Sequence, residues 1–142
     1  MGSIRHILHI NRNMDDVKSA ILEKNHLINW YTNDITIKDI ESNKMEFKFG
    51  DISATALITM DANVIEWTYI DSTFEMLIGN SLTFTLEKKE NKTKVLAEQN
   101  GFDLESDMCA NFNFSLGKYL ESLRQYLQYG NKEGWGCEDY RS

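Results

Sequence analysis

The chain has 142 residues, 42% of them hydrophobic and 26% charged. That fits one folded domain with one core and speaks against disorder. A net charge of −7 and a pI near 4.9, with no basic stripe, argue against nucleic acid or an anionic membrane surface as partner, and no apolar run approaches the ~20 residues of a spanning helix.

Met1-Gly2-Ser3 leads directly into Ile4-Arg5-His6-Ile7-Leu8, which alternates and lacks the apolar core of a signal peptide. The reading is a cytoplasmic protein. Asn91-Lys92-Thr93 and Asn113-Phe114-Ser115 then match glycosylation sequons by chance. Cys109 and Cys137 form no Cys-x-x-Cys pair and are expected as reduced thiols. There is no proline in the chain.

In chain order, Ile4 to Ile10 reads as a first strand. Asn13 is a suitable N-cap, Asp15 and Asp16 suit a helix N-terminus, and Met14, Val17 and Ile21 recur at helical spacing. A short helix to about Glu23 follows, then a second short helical piece over His26 to Trp30. The period then changes to two: Ile35 and Ile37; Met45, Phe47 and Phe49; Ala54, Ala56, Ile58 and Met60; Ile65, Trp67 and Tyr69; Leu82, Phe84 and Leu86; Val95 and Ala97. Turn residues separate these runs, at Ser42-Asn43, Gly50-Asp51, Asp61-Ala62-Asn63, Gly79-Asn80 and Glu90-Asn91-Lys92. Such short links join antiparallel strands, because parallel crossovers need a dozen or more residues.

The last element spans 106–129. Met108, Phe112, Leu116, Tyr119, Leu120, Leu123, Tyr126 and Leu127 form one apolar stripe, with Lys118, Glu121, Gln125 and Gln128 on the far side. Ser106 or Asp107 can cap the start, and Gly130 stands where a C′ glycine belongs. The fold expected is α+β: a curved antiparallel sheet of six or seven strands, two short helices, and a long C-terminal helix across the sheet. The tail 131–142, centred on Gly134-Trp135-Gly136, reads as a wrapped or loose extension of a single domain 1–142 whose core covers about 3–130.

The order strand, two short helices, meander, long helix is the helix-grip layout. His9-Ile10-Asn11, Trp30-Tyr31-Thr32, Trp67 with Ile70-Asp71, Ile78-Gly79, Leu82-Thr83-Phe84, Gly101-Phe102 and Leu120 through Leu127 with Tyr129-Gly130 resemble the SRPBCC (START-like) superfamily. They look most like its branch related to the activator of the heat-shock chaperone ATPase. The resemblance implies a cavity between sheet and long helix. Members bind lipids, hormones, polyketides or other hydrophobic molecules, and some are cyclases or aromatic-ring oxygenase subunits. Relatives often carry Trp where this chain has Leu116, and His where it has Gln99. The first departure implies a larger cavity; the second removes a titratable group.

No catalytic motif stands beside this resemblance. His6 and His9 are three apart on a strand and point to opposite faces, so they share no metal. Cys109 is read as a buried small hydrophobe and Cys137 as an exposed tail thiol. Glu66 alternates away from Trp67 toward solvent. The candidate ligand-binding residues are Trp30, Phe49, Trp67, Tyr69, Phe84, Gln99, Phe112, Leu116 and Tyr119. For the aromatics among them, the competing reading is plain core filling. Gln99 shares parity with Val95 and Ala97 and so points inward, and an apolar pocket with a few polar groups is what ligand sites look like. The function expected is non-catalytic binding of a small hydrophobic or amphipathic molecule, with no cofactor and no metal. The alternatives are a chaperone-regulating interaction module and a cyclase or hydrolase in the same cavity.

Overall fold

The computed structural model describes residues 1–141; Ser142, the end of the expected tail, lies outside them. The strands are β1 (Gly2–Ile10), β2 (Asp34–Asp39), β3 (Lys44–Phe49), β4 (Ile52–Asp61), β5 (Val64–Ser72), β6 (Ser81–Lys89) and β7 (Lys92–Phe102), and the helices are α1 (Met14–Leu22), α2 (Lys24–Trp30) and α3 (Asp107–Tyr129). All seven strands form one antiparallel sheet in the order β1-β7-β6-β5-β4-β3-β2. The meander β2 to β7 builds itself by hairpins, and β1 closes the far edge against β7. This is the helix-grip architecture expected from the sequence.

The caps behave as their chemistry dictates. Asn13 Oδ1 accepts from the Asp16 amide at 2.9 Å at the start of α1, and Ser106 Oγ accepts from the Cys109 amide at 3.1 Å at the start of α3. Gly130 ends α3 in the left-handed region, at φ 74°, where a side chain would be strained. A single 3₁₀ turn, Glu75–Leu77, stands between β5 and β6 where only turn residues were anticipated. The second short helix begins at Lys24, two residues before the expected His26, because Glu23 leaves α1 in extended conformation and restarts the helix as an N-cap.

Period-two alternation puts one row of side chains inside. Ile4 faces Gln99, Gln99 faces Leu82, Leu82 faces Trp67 and Trp67 faces Ile58. Elsewhere a small residue opposes a large one: Ala54 opposite Phe47, Ala56 opposite Tyr69, Ala97 opposite Phe84. Pairing small against large lets rings lie over the neighbouring strand. Register shifts at Gly2/Ile4, Ile37/Asp39 and Thr55/Ala56 add the local twist that bulges bring, and so help curl the sheet.

Helix α3 crosses the concave side: Phe112 meets Phe102 of β7 with ring centroids 5.3 Å apart, and Tyr119 meets Phe49 of β3 at 5.7 Å. It comes close to β1 because Gly117 has no side chain; a Cβ there would lie 3.3 Å from the His6 ring. His6 Nε2 pairs with Asn113 Oδ1 at 2.8 Å, so His6 points in while His9 is exposed.

Four expectations are corrected. Met108, placed in the apolar stripe of α3, is 39% exposed, while its neighbour Cys109 takes the buried position in the first turn. Lys118, Glu121 and Gln125, placed on its far side, are half-buried, and Ser122 among them is buried, because the tail covers that face. Cys137 is accordingly half-buried, its thiol donating to the Ile28 carbonyl at 3.2 Å. Ile37 and Met60 follow the inward parity but lie at the sheet's margins and stay 40% and 49% exposed.

Candidate functional site

The space between the sheet and α3 is filled by aromatic rings, and their common neighbour is Tyr31. Its ring centroid lies 5.1 Å from each of Phe47, Phe49, Trp67 and Tyr119 and 5.5 Å from Trp30. Most of these contacts are edge-on, the arrangement favoured by ring quadrupoles. Trp67 is stacked on Phe47 at 5.2 Å and meets Phe84 edge-on at 5.2 Å. Trp30 lies 6.4 Å from Trp67 and anchors itself by donating its indole N–H to the Ala20 carbonyl at 2.8 Å.

Of the nine candidate residues, the structure gathers Trp30, Phe49, Trp67, Phe84 and Tyr119 into this cluster, and the Tyr31 and Tyr69 phenols feel one another there. Phe112 belongs to a second group nearer the start of α3, between Phe74 and Phe102, each 5.3 Å away. Leu116 lies between the two groups on α3 and is buried. Gln99 is buried and inward, two strands from Trp67. Tyr31 and Phe47 were not among the nine. Tyr31 follows the end of α2, where neither helical nor strand parity assigns a face; the run Trp30-Tyr31 was its only signal.

The polar atoms in this apolar interior are few. Trp67 Nε1 is buried and, among the described residues, has no hydrogen-bond partner. An unmade bond of this kind costs about 1–3 kcal/mol. Burial holds the phenols of Tyr31, Tyr69 and Tyr119 above the ordinary tyrosine range. They remain neutral donors and acceptors at neutral pH. His26 pairs with the Tyr126 hydroxyl at 2.7 Å, apart from the ring cluster. Thus the interior offers the Trp67 indole N–H and neutral phenol hydroxyls as hydrogen-bonding groups. Among the described residues, no three His, Cys, Asp or Glu side chains converge as a metal-ligand set.

The tail docks as a strap beside this cluster. Its amides at Gly134 and Trp135 donate to the carbonyls of Asn29 and Tyr31 at 3.0 and 2.9 Å, and the Trp135 carbonyl accepts from the Asn33 amide at 2.9 Å. Under the strap is a hollow of about 60 Å³ lined by Lys118, Glu121, Ser122, Glu133 and Arg141. A larger surface hollow, about 440 Å³, lies between the start of α1 and the β6–β7 turn. Neither hollow coincides with the ring cluster.

No family model matches the chain, and neither does any curated protein. Solved structures do. A solution structure of an Aha1 dimer from Colwellia psychrerythraea superimposes with a TM-score of 0.79 at 24% identity, covering 92% of this chain and 98% of that one. DynU16, from the dynemicin biosynthetic locus, gives a TM-score of 0.72 at 13% identity over 99% of this chain and 51% of its own length. The protein SSP2350 from Staphylococcus saprophyticus gives 0.72 at 13% identity over 92% and 94%. These likenesses establish the fold, and they agree with the SRPBCC and Aha1-like resemblance carried by the sequence motifs.

Proposed function

We propose that this chain is a cytoplasmic, non-catalytic binder of a small apolar molecule that carries a hydrogen-bond acceptor, held between the sheet and α3. The observation that carries this reading is the unpartnered Trp67 indole N–H at the centre of an otherwise apolar ring cluster. A ligand carbonyl, ether or hydroxyl lying against Trp67 would complete that bond. The Tyr31, Tyr69 and Tyr119 hydroxyls and the Gln99 amide stand ready to orient the same polar end, while Trp30, Phe49, Phe84, Phe112 and Leu116 supply apolar wall. Burying ~200 Å² of apolar ligand surface would contribute roughly 5 kcal/mol at 25 cal/mol per Å². The rings now touch, so binding requires them to part.

The test is an environment-sensitive dye such as ANS, read by its own emission and by quenching of tryptophan. Leu116→Trp adds bulk between the two ring groups. On this reading the wild type brightens the dye, and the variant, still folded but overpacked among touching rings, does not. If the wild type leaves the dye dark and Leu116→Trp loses stability by ~1–3 kcal/mol, as overpacking does, the interior is simply core.

One feature favours a second reading, a module that regulates a chaperone or another protein through its outer surface. Phe114, within the first half of α3, is 77% exposed, a large aromatic ring presented to solvent. Partner binding that survives Leu116→Trp but not Phe114→Ser would favour it.

A further inference from the structure

The C-terminal strap does more than cover surface. Helix α2 has only two turns, and its last carbonyls need donors from outside. They find them in the strap and in α3. The Ile28 carbonyl takes the Cys137 thiol, the Asn29 carbonyl takes the Gly134 amide, the Trp30 carbonyl takes Ser122 Oγ at 2.7 Å, and the Tyr31 carbonyl takes the Trp135 amide. The strap therefore fixes the backbone from which the Tyr31 ring, the shared neighbour of Trp30, Phe47, Phe49, Trp67 and Tyr119, projects.

It also spans the side of the cluster. The Trp135 ring would lie 3.5 Å from a Cβ placed on Gly50, in the turn between β3 and β4. Farther along, Lys118 of α3 sits over the Tyr140 ring at 4.2 Å, and the buried Glu133 pairs with Arg141 at 2.8 Å. The strap thus bridges α2, the β3–β4 turn and mid-α3, alongside Tyr31, Phe49 and Tyr119. Two glycines shape its docking. Gly130 turns the chain out of α3 in the left-handed region, with open space where a side chain would be, and Gly134 approaches α2 so closely that a Cβ would meet backbone atoms of Asn29, Trp30 and Tyr31 at 3.0 Å, so a single added methyl is enough to push the strap off.

We infer that the strap 131–141 is a latch on the interior site: released at Gly134–Cys137, it frees Tyr31 to swing out and opens the ring cluster to a ligand from the side bounded by Phe49 and Tyr119. This rests on the binding reading above and adds to it the route and the regulation of access. The site is closed while the α2 carbonyls are capped by the strap.

Stopped-flow uptake of ANS is measured on the full-length chain together with Cys137 alkylation by iodoacetamide, mapped by mass spectrometry to separate it from Cys109. Gly134→Ala should speed Cys137 alkylation and dye uptake together, each by ten-fold or more. In the wild type, uptake should saturate with dye concentration at the rate at which Cys137 becomes alkylated under excess reagent. The wild-type measurement stands even if the variant does not fold. Dye that binds at unchanged, unsaturating rates while alkylation accelerates overturns the latch and leaves the binding site standing. Dye that never binds either protein overturns the site, and the latch with it.

Discussion

Replacing Ser122 by alanine removes one oxygen and tests how the structure positions Tyr31. Ser122 is buried, and its hydroxyl donates to the Trp30 carbonyl at 2.7 Å. That carbonyl lies past the last α2 hydrogen bond, where the Tyr31 amide returns to Leu27, so nothing within the helix can replace the donor. Leaving a buried acceptor unmade costs about 1–3 kcal/mol, and alanine's better helix propensity offsets roughly 0.5 kcal/mol of it. The net loss is about 0.5–2.5 kcal/mol. At ~2.1 cal/mol/K per residue, 142 residues have an unfolding entropy near 0.3 kcal/mol/K, so Tm should fall by about 2–8 °C. Calorimetry measures it. A paired control is Gln128→Ala, whose side chain accepts from the Asn11 amide at an exposed position; water replaces that bond, and the change should stay within about 0.5 kcal/mol. A Ser122→Ala protein as stable as the wild type, or more so, would refute the capping argument.

Ala62 occupies the left-handed region at φ 53° in the two-residue β4–β5 turn, where glycine suffers no Cβ clash; Ala62→Gly should raise Tm by a few degrees, and a fall in the thermal melt would show that the turn does not strain alanine. Burial raises the phenols of Tyr31, Tyr69 and Tyr119. In each case the folded pKa exceeds the unfolded value near 10, so below that pH the three contribute no pH dependence. As pH rises past it the unfolded chain loses protons that the folded chain keeps, and stability falls. Phenolate absorbance should therefore show these three of the six tyrosines ionising only as the protein unfolds; smooth titration of all six in the folded state would contradict their burial.

Much of the fold was legible because the chain states it in period and punctuation. The inward residues Phe47, Trp67, Phe84 and Val95 follow strict alternation, and Asn13, Ser106 and Gly130 mark helix ends by ordinary capping chemistry. What parity could not reach was the residue between elements. Tyr31 ends α2 without belonging to a strand, and its position at the hub of the rings depends on the distant strap. The strap itself was ambiguous, since Gly134-Trp135-Gly136 carries no periodicity; its docking comes from carbonyls at the end of α2 that only the folded chain brings near. Leu116 and Gln99 were correctly assigned to the interior by spacing. Spacing could not say that Gln99 stands two strands from Trp67, because that follows from sheet order.

The central claim is that a ligand reaches Trp67, and the indole N–H reports it directly. In an ¹⁵N-labelled sample the three tryptophan indoles give separate resonances, assigned by Trp→Phe substitution and followed while 2-naphthol is titrated in. The account predicts that the Trp67 Nε1–H signal moves downfield as it gains an acceptor, that the Tyr31 and Tyr119 ring signals shift with it, and that the Trp30 indole, already bonded to the Ala20 carbonyl, moves much less. A Trp67 indole that stays fixed through saturation, while only exposed residues respond, would contradict it.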